Sequence, residues 1–302
     1  MLIDILLATY DSQDFLREQI DSILKQSVSK FRIIAGDGGS GDGTPALLEE
    51  YAAANPERFL LLPGGRYSAA ENFARLLAAS DADFVMFSDH DDVWEPDKIA
   101  ISLECFRRNF PDSAHVPGLV FTDAKIADRD LNVISESSQK FQHFDPTRIA
   151  LHQLLAQNII SGNTMFFNRA LREAALPIAP EALMHDCWVT LCAAALGSVV
   201  YCPRPTILYR QHGRNALGAT SSSSTGIFSK LRDGRHQFLR NIRQGQALLK
   251  HLDGKLPEEK RKILEAYAAM ETQSFLGRRI TALRYGFVKN TPVRNFLLFL
   301  TM

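Results

Sequence analysis

The apolar run Phe84-Val85-Met86-Phe87-Ser88 empties into Asp89-His90-Asp91-Asp92, which places three carboxylates within four residues. Like charges that close repel and raise one another's pKa. A divalent metal with oxygen ligands resolves the conflict. The bland alternative is a solvated acidic turn whose Asp side chains cap the next helix. Two other polar stretches follow apolar runs and favour the first reading: Thr9-Tyr10-Asp11, and Asp37-Gly38-Gly39-Ser40-Gly41-Asp42-Gly43-Thr44. Four glycines in the second stretch permit close backbone approach and positive φ. It is neither GxGxxG nor GxxxxGK[ST]. Its acids argue against direct phosphate contact and favour hydrogen bonds to a base or ribose. Asp186 opens an apolar run ending at Gly197. A carboxylate there gains from the helix N-terminal dipole and serves as a proton acceptor or as a helix cap.

These residues need a scaffold that brings distant segments to one edge. Ile3 to Ala8 reads as a buried strand. Apolar residues recur at helical spacing from Ser12 to Gln26, with Asp11 or Ser12 as cap. Phe31 to Ala35, Arg58 to Leu62 and Phe84 to Ser88 read as strands. They alternate with helices at Thr44 to Ala54, Ser68 to Ala79 and Pro96 to Arg108, the last with proline near its first turn. Such alternation predicts βαβ units and a mostly parallel sheet, whose ligands bind beyond the carboxyl ends of the strands. Later segments are mixed. Strands are expected at Leu119 to Ile126, Thr164 to Asn168 and Ser198 to Cys202, the last stopped by Pro203. Helices are expected at Ile149 to Ala156 and Asp186 to Leu196. Ser221 to Ser224 reads as a linker, with helical patterns beyond it.

Taken together, Thr9-Tyr10-Asp11, Asp37 to Thr44, Asn72-Phe73 and Asp89-His90-Asp91-Asp92-Val93-Trp94 resemble the family 2 glycosyltransferases of GT-A fold. Ser161-Gly162-Asn163-Thr164-Met165 is similar to that family's acceptor-side strand entry, and His185-Asp186-Cys187-Trp188 to its catalytic-base motif. Tyr209-Arg210-Gln211-His212-Gly213-Arg214-Asn215-Ala216-Leu217-Gly218 resembles the motif of the bacterial rhamnosyltransferase branch. One departure stands out: the family usually carries two consecutive acids in the second loop, and Gly38 replaces the second.

The resemblance implies an α/β chain with a Rossmann-like, mostly parallel sheet flanked by helices. Residues 1–220 would form the catalytic domain, with nucleotide-sugar binding over 1–115 and the acceptor side over 116–220. Residues 221–302 would form a basic helical extension. The implied activity is inverting transfer of a sugar from a nucleoside diphosphate donor to a hydroxyl. The donor is dTDP-L-rhamnose, or alternatively a UDP-sugar. The acceptor is a lipid-linked, cell-surface polysaccharide such as O-antigen. A nucleotide-sugar-binding protein without catalysis is the alternative of another class. Thr9, Tyr10, Asp11, Asp37, Asn72, Asp89, Arg210 and His212 are implied on the donor. Asp91, Asp89 and His212 are implied on Mn²⁺ or Mg²⁺, and Asp186 is implied as general base. Asp92, Gly162, Asn163, His185 and Trp188 are placed on the acceptor side. Trp94 and Trp188 serve either the core or a sugar face.

Composition narrows the rest. The 302 residues balance 34 Lys and Arg against 34 Asp and Glu, with 46% hydrophobic residues. That suits a folded protein and argues against a generally basic nucleic-acid binder. The four cysteines form no CxxC or zinc spacing and read as reduced thiols of a cytoplasmic protein. The opening residues lack a basic leader pattern. The zero net charge is a cancellation: residues 221–302 hold fifteen Lys and Arg against six Asp and Glu, and residues 1–220 nineteen against twenty-eight. The basic residues interleave with bulky apolar ones over 270–302. That pattern predicts contact with the inner face of the cell membrane, or packing on the catalytic domain or in a homodimer.

Overall fold

The computed structural model describes residues 1–111, 115–212 and 227–302, with side chains described in the last segment from residue 233. The expected linker at Ser221 to Ser224 and the motif residues Gly213 to Gly218 lie outside the described residues.

Alternating strands and helices build the first half as expected. β1 (Ile3–Thr9), α1 (Leu16–Leu24), β2 (Phe31–Asp37), α2 (Thr44–Ala54), β3 (Phe59–Leu61), α3 (Ala69–Ala79) and β4 (Phe84–Ser88) follow in order. They are succeeded by β5 (Val93–Trp94), α4 (Lys98–Asn109), β6 (Gly118–Ala127), β7 (Val133–Ser135), α5 (Ser138–Phe141), α6 (Leu151–Ala156), β8 (Met165–Asn168) and α7 (Arg169–Ala175). α8 (His185–Leu196), β9 (Ser198–Arg210), α9 (Ile227–His251), α10 (Glu258–Ala268), α11 (Phe275–Tyr285) and α12 (Pro292–Thr301) complete the chain.

One sheet runs β3-β2-β1-β4-β8-β6-β9-β5, with β7 paired to β6. Strands β3, β2, β1 and β4 are mutually parallel, as are β6 and β9. β8 enters antiparallel between β4 and β6. Because β2 and β4 flank β1 on opposite sides, the chain switches direction there. The three carboxyl ends Thr9, Asp37 and Ser88 therefore open one crevice.

β1 is buried along its whole length and alternates between two cores. Ile5 and Leu7 face Leu16, Ile20 and Leu48, while Leu6 and Ala8 face Phe73, Leu76 and Trp188. The second core continues into Ile242, Leu264, Ala282 and Leu298 from the last four helices. That region therefore packs through its inner faces on α6 and α8, and its last two helices pack on α9 and α10.

Three local expectations are corrected. α1 begins at Leu16, and neither Asp11 nor Ser12 caps it with a side chain. Residues 11 to 13 are instead bonded to the glycine-rich loop, through Asp11 N to Ser40 Oγ at 2.9 Å and Ser12 N to Thr44 Oγ1 at 2.9 Å. α4 starts at Lys98, past Pro96, because Val93 and Trp94 first pair with Leu208 and Ile207 as β5. β9 does not stop at Pro203. It continues to Arg210, and its prolines fall where its register against β6 shifts. An irregular ladder tolerates the missing amide hydrogen. That continuation carries Tyr209 and Arg210 back to the crevice.

Candidate active site

A cavity of about 990 Å³ opens at the crevice, lined from every strand end named above and from α3, α8 and the end of β9. On its nucleotide-loop side Asp37 stands behind the wall. Its carboxylate accepts from Thr9 Oγ1 at 2.9 Å, Gly39 N at 3.0 Å and Ser40 N at 2.8 Å. Asp37 thus folds the loop whose backbone and Asp42 face the cavity. A β-carbon at Gly38 would lie 3.1 Å from Tyr67 O and 3.2 Å from Thr9 O. The position where a second acid was expected is crowded by two backbone oxygens. Gly39, at φ +98°, takes the turn that an L side chain resists. Asp11 remains exposed at the rim and accepts from Gly41 N at 2.8 Å. Asn72 is buried in the wall and donates to Gly36 O at 2.7 Å. Tyr10 sits exposed at the mouth.

The acidic strand end divides its labour. Asp89 and Asp91 line the cavity. Burial, reinforced by the charges of Asp91 and Asp186, pushes the Asp89 carboxyl up to about 7. Asp91 Oδ2 lies 2.9 Å from His212 Nε2. The His212 ring stacks on Phe15 at 4.5 Å between centroids. Asp92 turns inward and is fully buried, outside the lining. It accepts from Asn163 Nδ2 at 2.5 Å and from Arg210 N at 3.2 Å. Burial and its two acidic neighbours push its carboxyl well up. Asp92 therefore ties the acidic loop to the end of β9 and to the Ser161–Asn163 segment. Arg210 likewise does not line the cavity. Its Nε donates to Asp91 O at 2.9 Å, Nη1 donates to Arg129 O at 2.6 Å, and Nη2 pairs with Glu18.

On the opposite wall Asp186 lies in the first turn of α8, two residues past the helix-capping position at Met184. Its oxygens accept from Gly162 N at 3.2 Å and Cys187 N at 2.6 Å. Burial raises its pKa above the ordinary Asp value despite those bonds. Such a carboxylate is a stronger proton acceptor than one in water. His185 beside it is 3% exposed and lines the cavity. Its ring stacks on Phe73 at 3.8 Å and meets Phe87 edge-on at 4.5 Å. Burial pushes it down to about 3, so it is neutral. Among the described residues neither ring nitrogen has a hydrogen-bond partner. Gly162 is held open by this wall, since a β-carbon there would sit 3.0 Å from His185 Nε2.

Trp188 is corrected. It is fully buried, donates Nε1–H to Ala175 O at 2.8 Å and packs against His251, so it presents no face to the cavity. Its spacing along α8 places it toward the second core. Trp94 is buried on the other core beside Lys98. Asn163 is also buried and reaches the site only through Asp92. Phe15, Tyr67, Phe73, Met184 and Tyr209 line the cavity although the sequence reading assigned them no contact with ligand. Apolar spacing alone reads such residues as core.

Among the described residues no three His, Cys, Asp or Glu side chains form a ready metal cage. Asp91 and His212 are joined, and the half-buried Asp89 carboxyl lines the same cavity with its pKa raised. That donor set fits an ion that draws its remaining ligands from water and phosphate.

The sheet with its polar strand ends around one cavity has the GT-A fold, as solved structures show. S. aureus TarS residues 1–349, in complex with UDP-GlcNAc, superposes with a TM-score of 0.60 at 15% identity, covering 99% of this chain and 84% of that one. The mannosyltransferase PcManGT from Pyrobaculum calidifontis, with GDP-Man and Mn²⁺, gives 0.55 at 18% identity over 93% and 73%. Residues 4–174 match Glycosyl transferase family 2, and the chain belongs to that family. The dTDP-rhamnosyl transferase RfbG of Shigella flexneri is 28% identical over 227 residues, 72% of this chain and 75% of that one. An uncharacterized glycosyltransferase of Nostoc sp. strain PCC 7120 is 25% identical over 236 residues, 74% and 69% of the two chains.

Proposed function

We propose that this glycosyltransferase transfers L-rhamnose from dTDP-L-rhamnose to a hydroxyl of a lipid-linked, cell-surface saccharide, with inversion at the anomeric carbon. The observation that carries the reading is one cavity with Asp89, Asp91 and His212 on one wall and Asp186 with the unpartnered His185 on the other. Likeness to a dTDP-rhamnosyl transferase supports the donor. A UDP-sugar is the second reading. Phe73 and Met184, which line the same cavity, offer an apolar contact to the methyl group of a 6-deoxy sugar.

In this reading Thr9, Tyr10, Asp11 and Asn72 orient the nucleoside end, with Asp37 shaping the loop behind it. Asp91, His212 and Asp89 would hold Mn²⁺ or Mg²⁺, which supplies neutralisation of the diphosphate's developing charge. Asp186 takes the proton of the attacking hydroxyl as the new glycosidic bond forms and the bond to the diphosphate breaks. Asp92 and Arg210 hold the loops that carry these groups. His185, neutral, offers one N–H and one lone pair to a sugar hydroxyl.

The test is release of nucleoside diphosphate from a panel of sugar donors, with Mn²⁺ or Mg²⁺ and with EDTA. Turnover should require the metal, prefer the dTDP donor, and vanish in Asp91→Ala and Asp186→Ala. Full turnover in either variant overturns the assignment.

A further inference from the structure

The outer faces of α11 and α12 are apolar and, among the described residues, covered by no other element. On α11, Phe275, Leu276, Ile280 and Leu283 are 63 to 67% exposed; on α12, Val293, Phe296, Leu297 and Leu300 are 42 to 69% exposed. Within α12 the spacing of three and four residues puts all four on one stripe, and residues 276, 280 and 283 do the same on α11. The opposite faces, through Ala282 and Leu298, are already spent on the core. The two helices are stitched together where Arg279 donates to Phe299 O. Large contiguous apolar surface of this kind marks an interaction site.

Charge decides the occupant. Residues 272–302 contain five Lys and Arg and no Asp or Glu. Arg278 donates to Met270 O and Glu271 O, and Arg294 to Gln142 O. Carbonyls satisfy these donors without cancelling their charge. Among the described residues none of the five, Arg278, Arg279, Arg284, Lys289 and Arg294, forms a side-chain salt bridge; Arg284 is exposed and the other four are half-buried at the edge of the apolar face. A symmetric dimer would set this basic surface against itself. An anionic bilayer meets both features at once, because acyl chains accept the apolar stripes and headgroups accept the cations. Helices of 11 and 10 residues are too short to cross a bilayer. No helix among the described residues is long and apolar enough to cross one.

We infer that α11 and α12 form a surface-lying anchor that docks the enzyme on an anionic lipid bilayer. The inference is independent of the donor and acceptor above. The experiment is flotation of the full chain with vesicles of phosphatidylcholine alone or with 30% phosphatidylglycerol. Sizing by light scattering runs alongside. Binding should require the anionic lipid, falling about five-fold for each basic side chain lost, as in Arg284→Gln. It should weaken in high salt. The double variant Ile280→Glu, Phe296→Glu changes only exposed positions. It should lose vesicle binding by roughly a hundredfold while keeping its melting temperature and its turnover in solution. No preference for the anionic vesicles overturns the inference. So does a dimer that the double variant dissociates while vesicle binding is absent, since the face would then be covered by protein.

Discussion

Replacing Asp186 by Asn keeps the side chain's shape and removes its ability to take a proton. A positioned general base contributes roughly 10²- to 10⁴-fold, about 3 to 5 kcal/mol of transition-state free energy. The fold should tolerate the change for two opposing reasons. Both Asp186 oxygens accept backbone N–H groups, from Gly162 at 3.2 Å and Cys187 at 2.6 Å. An amide sets its NH₂ against one of them, at a cost of about 1.5 to 3 kcal/mol. Yet the carboxylate is held against a desolvation penalty that raises its pKa, and the neutral amide relieves it. The melting temperature should therefore move little while kcat falls at least a hundredfold and donor KM stays within about two-fold, the signature of an interaction used in the transition state. In the parent, kcat should fall on the acid side with an apparent pKa above the usual Asp range, and the variant's residual rate should lack that limb. The assay is nucleoside diphosphate release between pH 5 and 9, with thermal unfolding in parallel. A kcat within ten-fold of the parent refutes the base assignment. A loss that tracks weaker donor binding or a collapsed melting temperature refutes the argument that the residue acts on the proton.

His185→Phe preserves the stack on Phe73 and removes two unpartnered nitrogens. It should keep or raise the melting temperature yet weaken kcat/KM about ten-fold, one hydrogen bond's worth; an unchanged kcat/KM removes His185 from the substrate. Asp89 is pushed up to about 7 from an ordinary value near 3.9, so between those values the folded protein holds a proton the unfolded chain has lost. Stability in EDTA should then fall as pH rises from about 4 to about 7 and level off above. Asp89→Asn should flatten that slope in melting curves, and an equally steep variant refutes the cause. A β-carbon at Gly197 would lie 1.8 Å from Pro117 O; Gly197→Ala should lower stability by several kcal/mol in denaturant titration, and a neutral effect refutes the packing there.

The parallel half of the sheet was legible because each strand is a short, continuously apolar run bounded by turn residues. Thr44 to Ala54 and Phe84 to Ser88 are found at those bounds. The second half was less so. Pro203 reads locally as a stop, and only the shifted register against β6 shows why β9 continues. β5 is two residues long and exists solely through its partner. The polar strand ends were visible as candidates from residue type. Their division into lining and support was not, because Asp37 and Asp92 have the same chemistry as Asp11 and Asp91.

The sequence by itself determined which residue types gather at the strand ends, the alternation that brings those ends to one edge, and the opposite charges of its two parts. These are properties of composition and period, and need no partner. Tertiary structure alone decided which carboxylate faces the cavity and which holds the loops. It also decided that Trp188 belongs to the core, and that among the described residues the His185 ring nitrogens have no partner. Each of these depends on which distant segment lies opposite. Asp92 is a support because Asn163 and Arg210 meet it, and among the described residues the outer stripes of α11 and α12 are bare because α9 and α10 pack only on their inner faces.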